Sequence, residues 1–186
     1  MIAIMSAPLD TFLDAMPSTD VSFDPGQFVF ARGDKVRRMF QVVHGEVHLM
    51  RHQRDGTAII VQRAGPACLL AEASLLVDRY HCDAVADQPA RVKSISRQAL
   101  AARLATDSGF ARAWIAHLAG EVQAARLRIE IMSMKTVSAR LDAWLAWLAW
   151  HDGELPAKGA RKSIAAEIGV SPEALYRELG RRRNPR

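Results

Sequence analysis

Apolar positions change their period along this chain, and each period predicts a different kind of element. Residues 7–16 predict a short helix that ends at Pro17. From about 20 to 97 the pattern is short apolar runs: Phe28-Val29-Phe30, Phe40-Gln41-Val42-Val43 and Ala58-Ile59-Ile60-Val61. Gly26, Gly33, Gly45, Gly56 and Gly65 punctuate them. Short strands separated by regular glycine turns predict an all-β roll, sandwich or barrel. Asp55-Gly56, flanked by apolar residues, is the strongest hairpin signal.

After Ser96 the pattern becomes helical. Residues 97–105 predict a helix closed by Thr106-Asp107, and Asp107 or Ser108 can cap the next one. In that next helix Ala111, Ile115, Leu118, Val122, Ala125, Ile129 and Met132 are spaced alternately four and three apart. This is an a/d seam of about three heptads, and it predicts a parallel homodimer. A second stripe, Trp114, Leu127, Ile131 and Met134, can pack on the helix's own domain. Gly120 inside the helix costs about 1 kcal/mol against alanine and allows a bend. Residues 136–151 predict a further helix with Leu141, Trp144, Leu145, Trp147, Leu148 and Trp150, read as packing rather than as an aromatic box. Asp152-Gly153 ends it, and Glu154 to Gly159 is a connector.

Residues 162–183 then read as helix, turn at Gly169, helix. Ser171 is the N-cap of the second helix and Pro172 its first residue. Ile164, Ala165, Ile168, Val170, Leu175 and Leu179 are spaced to lock the two helices together. Glu173, Ala174, Tyr176 and Arg177 fall on the first turns, where a recognition helix presents side chains to base edges. Arg181, Arg182, Arg183 and Arg186 suit phosphates.

Charge sharpens this reading. The chain of 186 residues carries a net +5. Between Lys158 and Arg186 eight basic residues face three acidic ones, so the whole excess lies there and residues 1–157 balance to zero. A hydrophobic content of 49% excludes wholesale disorder. Two cysteines, Cys68 and Cys82, are too few for a disulfide framework or for the four thiolates of an iron–sulfur cluster. With no signal peptide and no apolar stretch long enough to span a bilayer, a reducing, cytoplasmic setting without a membrane is expected.

The run Pro25-Gly26, Gly33-Asp34, Val43-His44-Gly45-Glu46-Val47 and the motif Ile168-Gly169-Val170-Ser171-Pro172-Glu173-Ala174-Leu175-Tyr176-Arg177 together resemble the CRP/FNR family of bacterial transcription regulators, from about Phe23 to Arg183. The resemblance implies an α+β chain: a cyclic-nucleotide-binding-like, jelly-roll-like β-roll over 1–106, a long dimerisation helix over 107–135, and a C-terminal helix-turn-helix over 136–186. It also implies base reading by Glu173 and Arg177, a homodimer on a palindromic double-stranded DNA site, RNA polymerase as a further partner, and no enzymatic activity. Arginine can grip guanine bidentately and a carboxylate can accept from cytosine. Pro172 stands where the family often has another arginine, so one base contact is expected to be missing.

Two departures qualify the resemblance. In family members that bind cyclic nucleotides, a Gly-Glu pair opens a short helix and a downstream arginine with a hydroxyl residue clamps the phosphate. The corresponding stretch is Ala71-Glu72-Ala73-Ser74 with Arg79-Tyr80-His81. Glu72 matches, Ala71 replaces the glycine, and Tyr80 and His81 fall at the arginine and hydroxyl positions, with Arg79 one residue early. Without a forked cation a desolvated phosphate lacks its bidentate partner, so cyclic AMP or GMP is not expected in the usual way. Haem would need an axial ligand; His44, His48 and His52 would share one strand face, and none marks itself as that ligand. No cofactor is therefore predicted. Secondly, the chain stops three residues after Arg183, and a winged-helix domain lacking its wing is the expectation, with weaker DNA binding. The sequence is also compatible with two other readings. One is a ligand-sensing or interaction module with a vestigial DNA-binding domain. The other, more remote, is a cupin-like metalloenzyme using His44, Glu46, His48 and His81.

Overall fold

The structure, a computed structural model, describes residues 7–150 and 161–183. The expected helix stop at Asp152-Gly153, the connector to Gly159, and Arg186 lie outside the described residues. In chain order the elements are α1 (Ala7–Asp14), β1 (Ser18–Phe23), β2 (Phe28–Phe30), β3 (Arg38–His44), β4 (Val47–His52), β5 (Ala58–Ala64), β6 (Leu69–Leu70), a 3-10 turn (Glu72–Ser74), β7 (Asp83–Ala86), β8 (Ala90–Ser96), α2 (Arg97–Thr106), α3 (Ser108–Ser133), α4 (Val137–Trp150), α5 (Arg161–Glu167) and α6 (Pro172–Arg183). Contacts divide the chain into two compact units, and the boundary falls within α3, between Ile115 and Ala116.

In the N-terminal unit the strands form two antiparallel four-stranded sheets, ordered β1-β8-β3-β6 and β2-β7-β4-β5. Strand β3 is buried at Met39, Phe40, Gln41 and Val42, with no alternation, because both its faces are covered. One cover is α1, whose Leu9 and Leu13 are buried. Asp10 on α1 accepts from Gln41 Nε2 at 2.8 Å, and Asp14 pairs with Lys93. Asp55 closes the β4–β5 hairpin as the sequence pattern predicts, its Oδ1 accepting from Thr57 N at 2.9 Å.

The corner between β3 and β4 depends on Gly45. Its φ is +84°, and a Cβ there would lie 2.3 Å from the Pro89 carbonyl oxygen. Only glycine meets both demands. This corner also corrects the expectation that His44, His48 and His52 share a face. His44 ends β3 in one sheet, whereas His48 and His52 lie on β4 in the other. A register shift between Leu49 and Met50 then breaks the alternation, leaving His48 buried and His52 exposed.

Helix α2 is capped by Ser96, which accepts from Ala99 N, and α3 by Asp107, whose Oδ1 accepts from Phe110 N at 2.9 Å. Helix α3 continues unbroken through Gly120. In the C-terminal unit Ile131, Leu141, Trp144, Leu148, Ile164, Ala165, Ile168 and Leu175 form one buried core. Trp144 packs in that core and donates Nε1–H to Glu167 Oε2 at 2.7 Å, as the packing reading of the tryptophans expects.

Candidate nucleic-acid interface and effector pocket

The turn before α6 is built by backbone chemistry. Gly169 adopts φ +64°, and the carbonyls left open at the end of α5 are taken by Val170 N to Ala165 O (2.9 Å) and Gly169 N to Ala166 O (3.3 Å). This is the paired C-cap that a left-handed residue permits. Ser171 then caps α6, its Oγ accepting from Ala174 N at 3.2 Å. Leu175 is buried against α5, and this rotation of the helix leaves Glu173, Tyr176 and Arg177 exposed. Glu173 is held below the usual carboxylate range by its own backbone N–H and by Ser171, with Arg177 adding attraction. Ala174 is half-buried between them.

The arginine run divides. Arg182 is half-buried and turned toward α4: it donates to Glu178 Oε1 (2.7 Å), Asp142 Oδ1 (2.6 Å) and the Ser138 carbonyl (3.1 Å). Arg181 is exposed but shares Glu178 at 2.8 Å and reaches Ser138 Oγ at 3.4 Å. These two guanidiniums hold the Glu178 carboxyl down at about 2. Arg183 is exposed. The sequence pattern treats the three alike, whereas their neighbours on α4 separate them.

The long helix also divides its two stripes. Trp114 and Ile131 are buried and Leu127 packs on the C-terminal core. Along the seam Ile115 is 65% exposed, Val122 48%, Ile129 71% and Met132 43%. Ala125 is exposed as well, and Ala111 and Leu118 are half-buried. Exposed apolar residues at heptad spacing form a stripe rather than scattered single sites.

In the β-roll the residues expected around an effector are close in space but mostly occupied. Ala71, where the resemblance implies a glycine, adopts φ 72° and leads into the 3-10 turn. Glu72 is half-buried, Ala73 exposed and Ser74 buried, with Ser74 Oγ 3.1 Å from His81 Nδ1. Tyr80 is buried, stacks on Phe30 with ring centroids 4.0 Å apart, and donates its hydroxyl to the Arg38 carbonyl at 2.6 Å. Burial raises its pKa. Arg79 turns away and donates to the Gly33 carbonyl at 2.6 Å. The position that would present a forked cation to a cyclic phosphate is thus an aromatic core residue with its polar atom satisfied. Cys82 beside them is buried, and burial, then Glu72 and Asp83, push its thiol up to about 11, so it is an inert thiol.

A separate cluster joins Glu46, His48 and Asp87, whose ligating atoms lie within 4.8 Å of one another. Glu46 Oε1 is 2.6 Å from His48 Nε2, whereas Asp87 Oδ1 is 3.4 Å from Nδ1. The carboxylates address different edges of the ring, and Arg63 Nη1 lies 3.0 Å from the same Nε2 as Glu46. A guanidinium nitrogen thus shares that edge of the ring with a carboxylate, in a compact polar cluster. Neither His44 nor His81 joins it, which removes the donor set of the cupin-like reading.

Two antiparallel sheets closed by helices, with this short turn between β6 and β7, define a cyclic-nucleotide-binding-like fold. Residues 20–107 match the family model of the cyclic nucleotide-binding domain. Among solved structures the chain is similar to FixK2 from Bradyrhizobium japonicum: 21% identity, 89% of this chain and 84% of that one, TM-score 0.67. It is also similar to the Thermus thermophilus Catabolite Activator Protein, at 23% identity, 96% and 83% coverage, and TM-score 0.56. The c-di-GMP responsive global regulator CLP of Xanthomonas campestris gives 17% identity, 96% and 91% coverage, and TM-score 0.59. At these identities the likeness establishes the fold. No curated protein matches the sequence. Among the described residues no helix is long and apolar enough to cross a membrane.

Proposed function

We propose that this chain is a homodimeric, sequence-specific DNA-binding transcription regulator of the CRP/FNR type. The observation that carries the reading is α6: a capped helix, locked by Leu175 and Ile168, that exposes Glu173, Tyr176 and Arg177 on its first turns. Arginine and carboxylate four residues apart share a helix face and offer the donor and acceptor that read a guanine and a cytosine edge. Arg183 adds phosphate affinity. The exposed seam of α3 joins two copies in parallel, and their α6 helices enter successive major grooves of a palindromic site. The likeness to the Thermus activator and the Xanthomonas regulator supports a regulatory role. Tyr80 supports control by something other than the usual cyclic-phosphate clamp.

The test is a gel-shift titration on DNA selected from a random pool, repeated across salt concentrations. A preferred site and a falling affinity with salt are expected. Equal binding to all sequences, or no salt dependence, refutes the reading.

A further inference from the structure

Arg140, in the first turns of α4, reaches two helix ends at once. Its Nε donates to the Met134 carbonyl at 2.9 Å and its Nη2 to the Met132 carbonyl at 3.3 Å. Its Nη1 donates to the carbonyls of Gly169 at 2.9 Å and Ile168 at 3.2 Å. The first pair closes the C-terminal end of α3. The second pair belongs to the turn of the helix-turn-helix. Met132 lies in the last turn of α3, and Met134, Ile168 and Gly169 lie just past the ends of α3 and α5, where carbonyls lack a helical partner and the negative end of the helix dipole favours a cation. A planar guanidinium with five donors can bridge two such ends, whereas an ammonium is a single point.

A second contact joins the same places. A Cβ on Gly169 would lie 2.5 Å from Met132 Cε and 2.7 Å from Met132 Sδ, so the Met132 side chain lies flush on the turn. Met132 is the last residue of the exposed seam. The end of the seam and the turn that launches α6 therefore share one guanidinium and one methionine. None of these links is visible in the sequence motif of the helix-turn-helix.

We propose that Arg140 is a positioning residue for DNA recognition: it fixes the turn at Gly169, and with it α6, to the C-terminal end of α3, without touching DNA. The inference rests on the reading of α6 as the DNA-binding helix. Arg140→Gln and Arg140→Lys in the full chain test it, with the lysine variant keeping the charge and losing the fork.

Three readouts separate the outcomes. Melting and circular dichroism report whether each variant folds. Salt titration on the preferred site should show affinity reduced tenfold or more for both variants, with the salt slope unchanged, because a residue off the phosphates releases no counterions. Amide hydrogen exchange without DNA should speed up at 169–175 in both variants and remain as before in the β-roll. Wild-type affinity in Arg140→Lys overturns the proposal, as does a slope reduced by about one in Arg140→Gln, the signature of a phosphate contact. Unchanged exchange at 169–175 overturns it as well, and that arm still decides the question if wild-type protein shows no preferred site. A variant that does not fold at all would show Arg140 to be a general structural residue and also defeat the proposal.

Discussion

Ala71 holds a left-handed backbone conformation, φ 72°, that an L side chain adopts at a cost of about 1–2 kcal/mol. Glycine would remove this strain but would lose more freedom on folding, about 0.5–1 kcal/mol. The strain term is the larger. Ala71→Gly is therefore expected to stabilise the β-roll by about 0.5–1 kcal/mol, read as a higher melting temperature; an unchanged or lower one would mean the turn is not strained. Glu178 gives a prediction in pH. Its folded pKa of about 2, against an ordinary 4.5, arises first from Arg181 and then from Arg182. A carboxyl depressed on folding adds stability that is present above its unfolded pKa and disappears as pH falls through the folded value. Wild type should therefore be more stable than Glu178→Gln at pH 6, and the gap should close between about pH 4.5 and 2. A gap of constant size across thermal melts in that window would refute the assignment.

At the scale of the element, α6 separates its arginines by direction. Arg182 lies over α4, tied to Asp142, Glu178 and Ser138, whereas Arg183 is exposed. Arg182→Ala should lower the melting temperature of the C-terminal unit and leave the salt slope of DNA binding unchanged. Arg183→Ala should do the reverse, reducing the slope by about one. The opposite pattern would show that Arg182 leaves α4 to meet a phosphate. Helix α3 carries a similar division: one stripe is consumed by packing at Trp114 and Ile131, and the seam is left exposed.

For the whole molecule the decisive surface is that seam. Burying Ile115, Val122, Ile129 and Met132 against a second copy removes apolar area from water at about 25 cal/mol per Å². Ile129→Glu would place two like charges within the apolar seam of a parallel pair. Sedimentation velocity should then show a monomer where wild type is a dimer. A variant that stays dimeric, or a monomeric wild type, would place the seam elsewhere in the mechanism.

Local chemistry made much of this legible in advance. Asp107 and Ser171 cap the helices they precede, Gly169 takes the left-handed turn, and Asp55 closes its hairpin, because each effect is confined to a few consecutive residues. The two stripes of α3 follow from helical period alone. The histidines of β3 and β4 were not legible, since a corner and a register shift reassign faces without changing the spacing.

By itself the sequence determined the order of elements, the position of the charge excess and the face of α6 that carries Glu173 and Arg177. Tertiary structure decided what each polar group has already spent. Tyr80 became a core ring, Arg182 a strut to α4, Arg63 a neighbour of the His48 ring and Arg140 the bridge between two helix ends. The reason is range: caps, turns and periods act over a few residues, whereas these partners are brought together by folding from positions far apart in the chain.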